Sequence, residues 1–136
     1  MAEWIEPKTD WTSSDYFNAE DYNRIIGNVI YLKAFSDALF NALTNVSLGE
    51  EKTKISLIYA REMNNIESSI DKLNFETYRL DLGETKEYLP NTRTPNFEDF
   101  NRIESAILLL YNTMVAHKNA LPRLAFALGG QKGIRV

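Results

Sequence analysis

The sequence predicts a mainly α-helical domain: a three-helix bundle of related helices with an extended N-terminal arm, an extended C-terminal tail and room for a small β element. Three observations lead there. The stretch FNAEDYNRIIGNVIYL, residues 17–32, has a near echo in NFEDFNRIESAILLLY, residues 96–111. A third stretch, AREMNNIESSIDKL (residues 60–73), lies over both without a gap. Met63 then falls on Tyr22 and Phe100, Asn64 on Asn23 and Asn101, Ile66 on Ile25 and Ile103, Ile70 on Val29 and Ile107, and Leu73 on Leu32 and Leu110. In all three the apolar positions recur at alternating three- and four-residue steps, which places them on one helix face.

The elements follow in order. Residues 1–16 carry Pro7 and a Thr/Ser/Asp cluster but no helical period, so they read as an extended arm with aromatic anchors at Trp4, Trp11 and Tyr16. Asn18 is a good N-cap, with Glu20 and Asp21 in the first turn where carboxylates suit the helix dipole. The seam Tyr22, Ile25, Val29, Leu32, Ser36, Leu39, Leu43 carries a first helix over about residues 19–44. A second helix, beginning between Thr53 and Tyr59, covers about residues 57–74. Asn96 repeats the cap signal, with Glu98 and Asp99 behind it, and Phe100, Ile103, Ile107, Leu110 and Met114 carry a third helix over about residues 97–118. Pro122 limits that helix, so the helical domain spans residues 17–121. In residues 76–90 the alternation of Tyr78, Leu80 and Leu82 suggests a short strand. The tail, residues 122–136, alternates at Leu124, Phe126 and Leu128 before a Gly-Gly break and reads as extended.

Length and composition bound the function. A chain of 136 residues, 44% hydrophobic and 25% charged, is one globular domain rather than two. Its 19 acidic and 15 basic residues are scattered and give a net charge of −4, which argues against nucleic acid as a partner. The absence of cysteine excludes disulfides, thiolate metal sites and thiol catalysis. The N-terminus lacks the pattern of a secretory signal, and no run approaches the roughly 18 apolar residues of a membrane helix.

The candidate chemistry is thin, and neither catalytic, metal-binding nor cofactor-binding residues are expected. His117 is the single histidine, so no histidine pair can hold a metal, and it lies on the third seam. The acids at Asp15, Glu20, Asp21, Glu98 and Asp99 cluster at helix starts. Glu20 to Arg24 and Glu98 to Arg102 also stand at the i, i+4 spacing that supports a helix. LGGQKG, residues 128–133, lacks the spacing of a phosphate loop. The repeated Asn23, Asn64 and Asn101 add nothing to an apolar seam. They either bond a neighbouring backbone segment or subunit, fixing register, or are inherited surface residues. Trp4 and Trp11 either lie back on their own bundle or a sister chain, or fill a groove in a partner.

The opening W…PKTDW…DYFNAEDYNRI…N…YL, with the D-x-N-R-I pattern of Asp21 to Ile25 and again of Asp99 to Ile103, resembles segments of bacteriophage tail, baseplate and tail-fibre proteins, and of prophage or phage-tail-like particles, of Gram-positive hosts. The likeness covers about residues 4–32 and 93–110 and supplies no catalytic residues. It implies a non-enzymatic structural or adaptor subunit, assembled in the host cytoplasm into the virion tail as a homo-oligomer, a trimer or hexamer, that docks other tail proteins. Trp4, Trp11, Leu124, Phe126 and Leu128 are the expected assembly contacts. A host-surface polysaccharide-binding module of a tail fibre is the alternative, and a small wall hydrolase ranks last.

Overall fold

The computed structural model describes residues 3–40, 60–89 and 95–129, with side chains as far as residue 121. Three helices pack on one another: α1 (Ala19–Phe40), α2 (Ala60–Glu76) and α3 (Phe97–Gly129). The expected seams are the core. Tyr22, Ile25, Val29 and Leu32 of α1, Met63, Ile66, Ile70 and Leu73 of α2, and Phe100, Ile103, Ile107, Leu110 and Met114 of α3 are all buried. Ser36 occupies a seam position because its hydroxyl donates to the carbonyl of Lys33 within its own helix.

Bundles with short loops alternate up and down, but these helices run in parallel. Contacts between α1 and α3 climb together, from Arg24–Glu104 through Tyr31–Tyr111 to Phe40–His117. The connection after α2 explains how this is possible. It doubles back as an extended strap, with Leu80 bonded to Asn74, Thr85 to Asp71 and Tyr88 to Asn64. Along α3 the same strap descends from Tyr78 at His117 to Lys86 at Asp99. It is antiparallel to both helices, so α2 and α3 are parallel to each other.

The N-terminal arm is a second strap of the same kind, lying between α1 and α3. Ile5 bonds Asn28 of α1, while Lys8 and Trp11 bond Glu104 and Asn101 of α3. A turn closed by Asp15 N–H on the Thr12 carbonyl then leads into α1.

Four expectations need correction. No strand exists among the described residues; Tyr78, Leu80 and Leu82 instead pack against the core from a strap whose backbone bonds helix side chains. Tyr16 is 90% exposed and is no buried anchor among the described residues. The third helix passes Pro122 and runs to Gly129, so the first part of the predicted extended tail is helical. Proline costs that helix one backbone bond, which adjacent turns tolerate in a long helix. Finally, Arg24 and Arg102 do not pair along their own helices with Glu20 and Glu98; they reach across to Glu104 and Glu67. Residues 41–44, 57–59 and 130–136, on which other boundaries were placed, lie outside the described residues.

Candidate functional site

Each polar residue of the repeated D-x-N-R-I pattern has a separate structural task. The aspartate closes a reciprocal cap. Asn18 N–H donates to Asp21 Oδ2 at 3.0 Å and Asp21 N–H to Asn18 Oδ1 at 3.1 Å, and Asn96 and Asp99 repeat the arrangement at 3.0 Å each way. Two otherwise orphaned backbone donors are satisfied at each helix start.

The asparagine holds a strap. Asn101 Oδ1 accepts the Trp11 N–H at 2.7 Å, and Asn101 Nδ2 donates to the Trp11 carbonyl at 2.9 Å. Asn64 does the same to Tyr88, at 2.7 and 2.8 Å. A primary amide carries the same donor and acceptor as a peptide group, so each side chain acts as a one-residue strand edge for an extended segment that lacks a strand partner. The device recurs outside the repeat, at Asn74 on Leu80 and Asn28 on Ile5. Of the two readings left open for the asparagines, backbone bonding is the one realised at Asn64 and Asn101. Asn23, the third of the set, is engaged as well.

The arginine joins neighbouring helices through a buried glutamate. Glu104 is 0% exposed and lies three residues after Asn101. Its carboxylate accepts Lys8 N–H at 3.0 Å, Trp11 Nε1–H at 2.6 Å, Arg24 Nε–H at 2.7 Å and Arg24 Nη2–H at 2.8 Å. Glu67, 3% exposed and three residues after Asn64, accepts the Tyr88 hydroxyl at 2.9 Å and both Nη groups of Arg102. Both carboxylates are thereby compensated for leaving water, as buried charges must be.

These environments shift the partners. For Arg24, burial pulls the guanidinium down, but Glu104 and Asp21 outweigh it and the net direction is up. For Arg102, the hydrogen bonds it donates to Glu67 dominate and raise it. Burial pushes the Tyr88 hydroxyl well up, and the adjacent Glu67 carboxylate adds to the effect. Burial also pushes Tyr22 up, to about 12, with help from the Glu62 carboxylate that accepts its hydroxyl.

The third helix pair departs from the rule on both sides at once. In the gapless overlay the position of Glu67 and Glu104 is Ile26 in α1, and the position of Arg24 and Arg102 is Asn65 in α2. A charged pair present twice is thus absent the third time as a pair, leaving no buried charge without its partner.

Of the five expected assembly residues, Trp11 is 4% exposed and packs among Phe17, Phe100 and the seam, so it is a core residue of its own chain. Trp4 is half-buried and stacked on Tyr111, with ring centroids 3.8 Å apart at 7°. The side chains of Leu124, Phe126 and Leu128 lie outside the described residues. His117 Nδ1 is 2.9 Å from the Tyr78 hydroxyl, in a ring cluster with Phe40. Among the described residues no group of acids and histidine could hold a metal ion, and no helix is long and apolar enough to cross a membrane.

Sequence reasoning missed Glu67 and Glu104. The signal was present in NNIESSI and NRIESAI, where a glutamate follows the repeated asparagine by three residues within an apolar run. An open cleft of about 410 Å³ lies between α1 and α3, lined by Tyr31, Ala34, Phe35, Tyr111, Val115, Lys118 and Asn119.

No protein-family model, curated protein or solved structure matches the chain.

Proposed function

We propose that this protein is a non-enzymatic structural or adaptor subunit of a phage tail or baseplate, acting through oligomeric assembly and the docking of other tail proteins. One observation carries the reading. In the pattern that bears the resemblance, the aspartate caps a helix, the asparagine clamps a strap and the arginine bridges two helices. A motif whose every polar letter fixes geometry belongs to a scaffold, where rigidity is the product. Of the acids that could have formed a catalytic pair, Asp21 and Asp99 are committed as helix caps, with Asp99 also tied to Lys86.

The protein would work as a trimer or hexamer within the virion tail, matching the symmetry of such organelles. Because Trp11 belongs to the core, deleting residues 1–16 would unfold the subunit and cannot test assembly. The suitable test is immunogold labelling of purified particles with antibody to the intact chain, together with light scattering of the isolated protein. Label at the tail and a trimeric or hexameric mass are expected; particles free of the chain, or a monomer at every concentration, contradict the reading.

A second reading, a host-surface polysaccharide-binding module of a tail fibre, draws on the cleft, since Tyr31, Phe35 and Tyr111 beside Lys118 and Asn119 are the residue types that stack on and bond sugars. Saturable binding to host-wall polysaccharide on a glycan array would favour it.

A further inference from the structure

The two straps lie in comparable grooves but are attached to the chain differently. The second strap, held by α2 and α3, is itself part of the connection between those two helices, so it cannot leave without moving one of them. The N-terminal strap lies between α1 and α3, yet in the chain it leads only into α1. Its hold on α3 is wholly non-covalent. Lys8 N–H and Trp11 Nε1–H donate to Glu104, Trp11 pairs through both backbone groups with Asn101, and Trp4 stacks on Tyr111.

The hinge between this strap and α1 lies on the surface, for residues 12–16 are all exposed. Their turn is closed by local bonds, from Asp15 N–H to the Thr12 carbonyl at 3.1 Å and from Thr12 N–H to Asp15 Oδ2 at 2.8 Å. Straightening it breaks these exposed contacts, and an extended run of that length spans up to about 17 Å.

The groove, by contrast, is built to be filled. Glu104 is buried, and Asn101 and Asn28 each present an amide to a strap backbone. The strap of a second copy meets every one of those donors and acceptors equally well, because strap and groove are the same in each copy. Exchange therefore loses no contact inside the groove. The choice between a copy's own strap and its neighbour's falls to the hinge and to the local concentration of copies.

We propose that in the assembled oligomer each N-terminal strap seats in the α1/α3 groove of the neighbouring copy, its Trp11 donating to Glu104 there. Each copy gives one strap and receives one, a head-to-tail link that closes into a ring. Strap exchange rests on the assembly reading above and names its contact: a second copy of this chain, bound through residues 3–11.

The chain contains no cysteine, so single thiols report exchange cleanly. One full-length variant carries Lys8→Cys on the strap; Lys8 bonds the groove through its backbone N–H, which the change leaves in place. The other carries Ser105→Cys, at an exposed position of α3 beside Glu104 and one turn beyond Asn101. Equal amounts are mixed in urea, refolded together and treated with a short bismaleimide, and the products are sized by light scattering. Adducts joining the two variants should form in the oligomer at least fivefold faster than adducts of either variant with itself. The double variant in one chain sets the reach of the linker. An oligomer in which the two variants do not join, while the double variant links within its own chain, overturns the proposal and leaves the assembly reading standing. A double variant that links neither within nor between chains overturns it as well, and a monomer at every concentration overturns both.

Discussion

Replacing Glu67 by isoleucine puts a number on the buried struts. Glu67 is 3% exposed and accepts the Tyr88 hydroxyl and both Nη groups of Arg102. Removing it leaves the Arg102 guanidinium, its side chain 19% exposed, without the partner that justified its burial. Breaking a buried pair on one side costs about 3–5 kcal/mol, and the stranded Tyr88 hydroxyl adds about 1–3 kcal/mol if it finds no water. Because Arg102 can turn partly towards solvent, we expect a loss of about 4 kcal/mol, a large share of the roughly 5–15 kcal/mol that holds a domain. The third helix pair suggests the remedy, since it has Ile26 and Asn65 at the equivalent positions. The triple variant Glu67→Ile, Arg102→Asn, Tyr88→Phe transplants that apolar solution and removes every stranded group. It should recover more than half of the loss, leaving a deficit of about 2 kcal/mol or less, in line with apolar replacement of whole buried ion pairs. Urea denaturation of the single, double and triple variants, followed by circular dichroism, measures this. A single variant that loses less than about 1 kcal/mol, or a triple variant no more stable than the single, would refute the strut argument.

Three further outcomes follow. Tyr22 is 1% exposed and its hydroxyl is raised to about 12; the folded protein therefore keeps a proton that the unfolded chain releases near pH 10, and stability should fall as pH rises from about 10 to 12. Denaturation midpoints across that range should fall less steeply in Tyr22→Phe. Gly83 has φ of +87°, and a Cβ there would stand 3.2 Å from Arg102 Cδ, so Gly83→Ala should cost about 1–3 kcal/mol by the same denaturation assay. Asn18→Ala and Asn96→Ala each remove one reciprocal cap and should each cost about 1 kcal/mol, with the two losses additive because the caps share no partner.

The helices were legible because their information is local. A capping asparagine, acids in the first turn and a seam at three- and four-residue steps all sit within one segment, and Tyr22 to Leu32 and Phe100 to Met114 are buried as that pattern requires. The straps were not legible, because an extended segment that bonds helix side chains needs no alternating pattern of its own. Leu80 and Tyr88 owe their conformation to Asn74 and Asn64, which lie on the preceding helix. The arginines were misassigned for a related reason: the i, i+4 rule sees one helix at a time, whereas Arg24 finds a more deeply buried acceptor on α3 in Glu104. Pro122 was read as a terminator from its own chemistry, and the helix runs past it. Of the site, the asparagine repeat was visible as a question, and only the parallel arrangement of the helices gives its answer at Asn64 and Asn101.

Asparagine side chains on the helices lock the straps as strand partners would, through paired bonds to the strap backbone. Native-state amide hydrogen exchange tests it most directly at Trp11, Leu80 and Tyr88, whose N–H groups lie outside any helix or strand yet donate to Asn101, Asn74 and Asn64. Protection of these three amides should be comparable to that of the helix cores. Changing Asn64 to alanine should remove protection selectively at Tyr88. Exchange of all three at the rate of an unstructured peptide, with the helices still protected, would contradict it.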